Sequence, residues 1–446
     1  MSPSPDGLGA ASGHASTASR DPVAATRSAA VWTREQASHL RRASATDAPI
    51  VYPPMTERDP AHHVWDTWFL RDRSGAIADL DGWRVAFSLT APADLLPGKR
   101  HDVATIRYYY TCDGRDWHPG GCVFDPERSL GSRQWAGSAL LDGGELYLYY
   151  TAAGRAGEAE LTYEQRLAAA HGGSVRAGAD GVHLDGPWTH DVLLAADGDV
   201  YQTAAQSQPG HVYTFRDPWL FTDPATGHSY LLFEANTNRP DRSDDPDVAA
   251  HDGCVGLAES PTGDPLEWER RPPILDAVGV NQELERPHVV VRDGRYHLFV
   301  SSHEFTFAPG LPRVEGLFGF VADDLAGDYR PLNDSGLVVA NPANAPYQCY
   351  SWVVTTHDEE LLAHAFFNYH DLAGRDLDAV ADLPARRQFE TFGGTPAPTL
   401  RVGLDGDRTW IRGRLEHGRL PLPGESLGDP TWERRPDRHR GPGGVY

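Results

Sequence analysis

Lysine is almost absent from this chain of 446 residues. Of its 40 lysine and arginine residues only Lys99 is a lysine, while aspartate and glutamate together number 63. The resulting formal net charge of −23 produces a field that repels phosphate backbones and anionic lipid headgroups. We therefore expect neither a nucleic-acid partner nor a membrane partner.

The shortage of lysine together with the excess of acids has two explanations. A GC-rich genome replaces lysine by arginine, whereas an organism with a salty interior favours acidic protein surfaces. At molar salt the Debye length falls to about 3 Å, which screens like-charge repulsion and lets a dense acidic surface stay hydrated. Because GC bias does not account for the excess of acids, the halophilic explanation is favoured.

Cysteine and long apolar runs are also scarce. The four cysteines, at positions 112, 122, 254 and 349, show no spacing typical of a metal site, so we expect reduced structural thiols and neither metal nor cofactor. No segment approaches the ~20 apolar residues of a membrane-spanning helix. The N-terminal 30 residues lack the basic and apolar regions of a signal peptide, which predicts a cytoplasmic protein or one exported by a non-classical route.

Helical periodicity is rare, and short strands rich in aromatic and β-branched residues predominate. One short amphipathic helix is predicted within residues 31–43. The strands are predicted at 83–89, 105–112, 145–153, 229–235, 295–302 and 361–367. Asp-Gly and related turns separate them, so the pattern predicts an all-β fold.

One unit recurs along the chain, consisting of an apolar strand, a turn and an aromatic strand. It spans 138–153, 217–235 and 286–302, with a looser copy at 66–89, and successive copies start about 70 to 80 residues apart. This spacing is typical of the four-stranded blades of a β-propeller. A β-sandwich is the alternative architecture.

Three acids stand at, or one or two residues before, the first strand of such a unit: Asp66, Asp217 and Glu285. Corresponding positions in successive blades face the same axis, so we expect these carboxylates to converge at one mouth of the central channel. Clustered carboxylates repel one another and raise at least one pKa, which is typical of a site that performs chemistry. For each acid alone, a turn or cap role is the alternative, since aspartate is common there.

Two carboxylates next to aromatic rings favour glycosyl transfer. One carboxylate attacks the anomeric carbon, and a second, held protonated by its surroundings, gives its proton to the leaving oxygen. Trp65, Trp68 and Trp219 lie beside the acids in the sequence and provide faces on which a sugar ring stacks.

Seven separated sequence blocks carry a family resemblance. In order they read HVWDTWFL, RQWAGSA, TFRDPWLF, YLLFEANT, ELERPHVV, YSWVV and FGGTPAPTLRV. Together they resemble the sucrose-acting fructosyltransferases of glycoside hydrolase family 68, the levansucrases and inulosucrases. The resemblance implies a five-bladed β-propeller with a central active-site pocket over residues 45–425. Residues 1–44 are then a disordered or loosely packed N-terminal tail, and residues 426–446 a C-terminal tail.

The resemblance also implies roles for individual residues. Asp66 is similar to the nucleophile that forms a fructosyl-enzyme, Asp217 to the transition-state stabiliser and Glu285 to the acid/base. Because the family retains anomeric configuration, we expect the carboxyl groups of Asp66 and Glu285 to lie about 5–5.5 Å apart. Substrate-binding roles are implied on the fructosyl side for Trp65, Trp135, Arg216 and Glu234, and on the glucose and acceptor side for Glu283, Arg286, His303 and Tyr350.

Two residues depart from the family pattern, and two have plain structural alternatives. Ala136 stands where many members have a serine that contacts the nucleophile. Gln282 stands where calcium-binding members have an aspartate, so we expect no structural calcium. Arg286 has a buried salt bridge as its alternative role, and Tyr350 has a place in the core.

The expected activity is transfer of the fructosyl unit of sucrose to a fructan or fructo-oligosaccharide with release of glucose. Inulosucrase is slightly preferred over levansucrase, because haloarchaeal members of the family resemble inulin-forming enzymes. With water as acceptor the same site would be a β-fructofuranosidase. A pentose-polymer hydrolase and a non-catalytic sugar-binding propeller are further alternatives. The expected partners are sucrose, the acceptor and water, and we expect a monomer.

Overall fold

Antiparallel strands form most of the protein. The computed structural model describes residues 28–55, 58–207, 211–238 and 250–430. In chain order the strands are β1 (Ala30–Val31), β2 (His62–Arg71), β3 (Arg84–Pro92), β4 (Thr105–Thr111), β5 (His118–Cys122), β6 (Arg133–Asp142), β7 (Glu145–Ala153), β8 (Gln165–Gly178), β9 (Gly181–Asp185), β10 (Thr189–Leu194), β11 (Phe215–Thr222), β12 (Ser229–Asn236), β13 (Gly253–Glu259), β14 (Glu269–Asp276), β15 (Glu285–Arg292), β16 (Arg295–Ser302), β17 (Gly316–Ala322), β18 (Arg330–Pro331), β19 (Leu337–Ala340), β20 (Cys349–His357), β21 (Glu360–Tyr369), β22 (Phe392–Pro396), β23 (Pro398–Asp405) and β24 (Arg408–His417). The α-helices are α1 (Arg34–Ser38) and α2 (Ala385–Glu390), and 3₁₀ turns cover Pro97–Val103, Pro126–Arg128, Glu304–Thr306, Leu332–Asp334 and Leu377–Val380.

The predicted hairpins form where their turn residues require them. The hairpin of β6 and β7 closes through Gly143 and Gly144, which have φ values of 58° and 90°, and that of β15 and β16 through Asp293 and Gly294, with 52° and 72°. Two-residue hairpin turns favour positive φ at both central positions because this matches the twist of the flanking strands. The all-β prediction is confirmed.

Five antiparallel meanders follow one another along the chain. They are β2–β5, β6–β8 with β10, β11–β14, β15–β17 with β18 and β19, and β20–β21 with β23 and β24. Their first strands, β2, β6, β11, β15 and β20, contact each other in this order, and β20 contacts β2. The ring of first strands is therefore closed around an axis, which is the arrangement of a β-propeller and not of a sandwich. The first two meanders share one nine-stranded sheet through the parallel pairing of β2 with β6, and the number of five blades stays a prediction.

Apolar packing joins the meanders. A continuous buried cluster extends from Trp32 before β2 to Ile411 in β24. Cys254 and Cys349 are buried free thiols, and Cys112 and Cys122 are exposed free thiols. Among the residues that the structure describes, no helix has the length and apolar composition needed to cross a bilayer.

The segment before residue 45 differs from its prediction wherever the structure describes it. Strand β1 pairs in parallel with β14, and Trp32 is completely buried between the rings of Phe307, Phe318 and Phe320, with centroids 5.3–5.9 Å away. Helix α1 is shorter than the predicted helix and begins at a capping box formed by Thr33 and Gln36. A buried tryptophan anchors residues 28–44, whereas residues 1–27 and 431–446 of the predicted tails lie outside the described residues.

Candidate active site

A β-bulge recurs in the first strand of every meander. The regular pairing with the second strand is interrupted directly after one residue in each case: Trp65, Trp135, Arg216, Glu285 and Tyr350. Bulges often re-aim side chains next to active sites. All five of these residues were predicted site residues, so the structure brings them to equivalent positions around the axis.

The residue that follows each of these positions has a strained backbone in four of the five strands. Asp66, Asp217, Arg286 and Ser351 have φ values of 40°, 60°, 50° and 59°, and Ala136 occupies the fifth position. Left-handed backbone at residues other than glycine costs free energy and clusters at functional sites.

The alignment of the three acids needs a correction. Asp66 and Asp217 occupy equivalent bulge positions, but they lie inside β2 and β11 and not before these strands. Glu285 stands one position earlier, equivalent to Arg216, and its own bulge residue is Arg286. The sequence does not show that Glu285 is offset by one residue from Asp66 and Asp217, because a bulge adds a residue without a sequence signal.

One arginine gathers three carboxylates. The Arg216 guanidinium is buried and donates from Nε to Glu234 at 2.7 Å and from Nη2 to Glu283 at 3.1 Å and Glu285 at 3.0 Å. Although burial alone favours its neutral form, the charges of Glu234, Glu285 and Glu283 raise the pKa of Arg216 well above its ordinary value. The structure thus places Glu234, Glu283 and Glu285 around one guanidinium.

The carboxyl group of Glu285 is suited to donate a proton. Burial raises the pKa of Glu285 to about 8, and a hydrogen-bonded Glu283 adds to the rise, while the cations of Arg216 and His303 oppose it. A carboxyl with this pKa is mostly protonated at pH 7 and remains able to ionise, which is what a residue alternating between acid and base requires.

Asp217 and Asp66 form a second acidic pair. Oδ2 of Asp217 accepts a hydrogen bond from the backbone N–H of Arg286 at 3.2 Å, and the Asp217 N–H donates to Oγ1 of Thr151. Burial raises the pKa of Asp217, and among the nearby charges Arg216 and Arg286 lower it while Asp66 raises it. Asp66 itself is only half-buried, so a substrate entering the channel can reach it.

Arg286 connects three blades and forms no salt bridge in the described part of the chain. Its guanidinium donates to the carbonyl and hydroxyl oxygens of Ser351 at 3.1 and 2.9 Å and to the carbonyl oxygen of Thr67 at 2.8 Å. The alternative role of a buried salt bridge is therefore not what the structure shows. Ser351 was not among the predicted residues, although it lies in the YSWVV block.

Trp65 and Trp135 are joined through a segment that has no sequence motif. The ring of His101 lies 5.4 Å from Trp65 and 6.3 Å from Trp135, whose indole N–H donates to the His101 carbonyl oxygen. Burial lowers the pKa of His101 well below its ordinary value, with help from Arg100. His101 thus contacts Trp65 with its ring and holds Trp135 with its backbone carbonyl oxygen, and no sequence motif indicates either contact.

A cavity of about 590 Å³ lies at the other end of the same channel. It is lined by residues that come later in each first strand, among them Arg71, Leu140, Trp219, Val291 and Thr356. Trp219, predicted as a stacking face for a sugar ring, borders this cavity and not the acids, whereas the predicted catalytic and substrate-binding residues do not border it. The first strands β2 and β6 run parallel, so their bulges lie near one mouth of the channel and their C-terminal ends near the other. The acids lie at the mouth near the bulges.

Comparison with known proteins identifies the family. The sequence profile of glycoside hydrolase family 68, described as levansucrase/invertase, matches residues 23–421. The chain belongs to this family. The levansucrase of Rahnella aquatilis is 33% identical over 426 residues, which cover 88% of this chain and 96% of that protein.

Solved structures of the family share the fold. The inulosucrase from Halalkalicoccus jeotgali bound to kestose is 60% identical, with a TM-score of 0.89 over 90% of this chain and 100% of that one. The catalytic domain of the Microbacterium saccharophilum K-1 β-fructofuranosidase is 31% identical, with a TM-score of 0.77 over 90% of this chain and 96% of that one. The predicted family resemblance is confirmed.

The two departures from the family pattern have defined surroundings. At the fifth bulge position Ala136 presents a methyl group, and its carbonyl oxygen accepts from Thr151. The Gln282 amide is held by His211 at 2.8 Å and donates to the carbonyl oxygen of Val212 at 2.7 Å. The carbonyl oxygen of this amide is thus already hydrogen-bonded, and the position supplies no carboxylate to a Ca²⁺ ion. Within the described ranges, no group of three or more His, Cys, Asp and Glu is arranged to hold a metal ion.

Proposed function

We propose that this protein transfers the fructosyl unit of sucrose to a fructan or fructo-oligosaccharide and releases glucose. The observation that carries the proposal is the placement of three acids at one mouth: Glu285 lies on the Arg216 guanidinium, Asp217 accepts from the N–H of Arg286, and Asp66 occupies the bulge position equivalent to Asp217. Family membership and 60% identity to an inulosucrase bound to kestose support sucrose and fructans as the substrate class.

In the first step Asp66 attacks C2 of the fructosyl unit. The bond between C2 and the bridging oxygen breaks, and Glu285 gives its proton to that oxygen, so glucose leaves and a fructosyl ester remains on Asp66. In the second step the ionised Glu285 takes a proton from an acceptor hydroxyl, whose oxygen attacks C2 and frees Asp66. The first step ionises Glu285 and the second returns its proton, so the enzyme is regenerated after both steps, and two inversions at C2 retain the anomeric configuration.

The remaining residues bind and orient the two sugar units. Asp217, held by the Arg286 N–H, accepts hydrogen bonds from fructosyl hydroxyls as positive charge develops on the ring. Trp65 and Trp135 enclose the fructosyl unit, and Arg216 with Glu234 fixes its position. Glu283, Arg286, His303 and Tyr350 contact the glucosyl unit and the acceptor. The expected separation of about 5–5.5 Å between the Asp66 and Glu285 carboxyls stays a prediction.

We favour inulosucrase over levansucrase as the activity, because the relative with 60% identity is an inulosucrase. The alternative is a β-fructofuranosidase, for which the 31% identical Microbacterium enzyme is the precedent.

We also propose that the protein is active as a monomer. Size-exclusion chromatography coupled to light scattering should then give one active species near 48.8 kDa.

The decisive experiment is incubation with sucrose in high-salt buffer, with free glucose and free fructose quantified together and product linkage determined by NMR. Glucose in excess of fructose establishes transfer, and a β-2,1 signal identifies inulin-type products while a β-2,6 signal identifies levan. Equal amounts of the two sugars identify a hydrolase. Absence of glucose contradicts the proposal in favour of another glycan or a binding role.

A further inference from the structure

Three stacked rings lead from the catalytic residues toward solvent. Tyr350 is 4% exposed and lies 3.6 Å from the ring of His303 at an interplanar angle of 12°. On its other side His303 stacks with Phe305 at 4.7 Å and 15°. Phe305 is 52% exposed, so exposure increases along the stack. Its inner end, Tyr350, occupies the bulge position that is equivalent to Glu285.

A buried carboxylate fixes the middle ring. Glu315 is completely buried, and its side chain accepts from His303 Nδ1 at 3.0 Å and from the Glu304 N–H at 3.2 Å. Burial works against the charged imidazole, but Glu315 outweighs it and raises the pKa of His303 to about 9. An imidazolium between two aromatic rings gains cation–π attraction on both faces, so the orientation of the stack is strongly determined.

Two further hydrogen bonds fix the 3₁₀ turn that carries Phe305. The Tyr347 hydroxyl donates to the Glu304 side chain at 2.5 Å, and the Thr306 hydroxyl donates to the carbonyl oxygen of His303 at 2.8 Å. Phe305 is thus the one residue of its 3₁₀ turn whose side chain is directed to solvent while both neighbours are tied down. A single exposed phenylalanine is ordinary on a protein surface. Phe305 differs because it is the outer end of a fixed stack of rings that begins beside Glu285, and this placement is typical of a ligand-binding residue.

We propose that Phe305 is a binding platform for the acceptor oligosaccharide, and that Glu315 is a positioning residue that holds the platform through His303. The inference rests on the proposed function, because it assigns where the growing chain lies after its first sugar unit. The apolar C–H face of a furanose ring would cover the exposed ring of Phe305 and remove apolar area from water. Water needs no such platform, so the residue would favour transfer over hydrolysis.

The test compares Phe305→Ala with the ring-preserving Phe305→Tyr and with Tyr52→Ala. Tyr52 is 70% exposed and borders a surface depression beside Arg414 and His417, away from the acids. Each variant is incubated with sucrose and increasing kestose, and glucose, fructose and tetrasaccharide are measured. For Phe305→Ala we expect the KM for kestose to rise about fivefold, equivalent to about 1 kcal/mol, and the share of free fructose to increase. Phe305→Tyr and Tyr52→Ala should keep the parental partition.

The outcomes separate the inference from the function on which it depends. Glucose release by the parent with an unchanged kestose KM in Phe305→Ala would overturn the platform and leave the function standing. No glucose release by the parent would remove the function itself. For Glu315→Gln we expect a raised kestose KM with the kcat of sucrose cleavage less affected; a parallel loss of kcat and melting temperature would show that Glu315 is merely structural.

Discussion

Arg216 is the residue on which the electrostatics of the site depend. It offers hydrogen bonds to Glu234, Glu283 and Glu285 at once, and lysine could not reproduce this forked geometry. With the cation in place, one of the acids can keep its proton while the others share the guanidinium. Because the acids differ in protonation, substitution of each acid should affect a different step of the reaction.

Asp66→Ala and Glu285→Ala should each lower kcat for sucrose by about 10²- to 10⁴-fold or more, because each removes a group from the reacting atoms. A fructoside with an acidic leaving group, such as nitrophenol, distinguishes them. Its departure needs no proton, so Glu285→Ala should recover the first step on it, seen as a burst of released nitrophenol, and Asp66→Ala should not. Circular dichroism controls for folding. Substantial sucrose turnover by either variant would remove that residue from its assigned role.

The activity should fall on the alkaline side as Glu285 ionises. Its pKa of about 8 means that the carboxyl is protonated below this pH and charged above it, so kcat/KM for sucrose should decline as pH rises through about 8. The cation of His303 opposes the raised pKa, and His303→Gln should therefore move the alkaline limb to higher pH. His183→Gln, at a half-exposed position far from the acids in the sequence, is the control. An alkaline limb that does not move in His303→Gln would contradict this coupling.

At the scale of elements, the N-terminal segment is an integral part of the fold. Trp32 has no exposed surface and contacts three phenylalanine rings. Trp32→Ala should lower the free energy of unfolding by about 3–5 kcal/mol, as truncation of buried aromatic residues does. Tyr52→Ala, an exposed aromatic at 70%, should change it by less than about 0.5 kcal/mol. Chemical denaturation of both variants checks this, and equal stabilities would mean that residues 28–44 are dispensable.

Hairpins could be predicted from sequence, and bulges could not. Asp293 and Gly294 mark their turn by their own backbone preferences, so the sequence predicts this hairpin and the bounds of β16, whereas β15 begins at Glu285, one residue before the predicted unit. The bulge at Asp66 has no such signal, because it is one extra residue within a strand pair and has no turn residue to mark it. His101 and Glu315 lie in no sequence motif. Their contacts with the site residues form only in the folded chain, so the sequence does not predict them.

At the scale of the whole molecule, the net charge of −23 should make stability depend on salt. Highly exposed carboxylates such as Asp293 and Asp323 have long ion pairs of 3.9 and 3.7 Å, and Asp371 lies 3.5 Å from His370, whose pKa burial lowers, so these contacts contribute little at the surface. Screening of their mutual repulsion should raise the melting temperature by roughly 5 °C or more between 0.1 and 2 M KCl. Replacing the three by asparagine should reduce this dependence, because fewer charges remain to be screened. Trehalose at matched osmotic strength separates screening from solute exclusion, which stabilises proteins regardless of charge. A melting temperature that is independent of salt would contradict the halophilic explanation and leave the loss of lysine to genome composition.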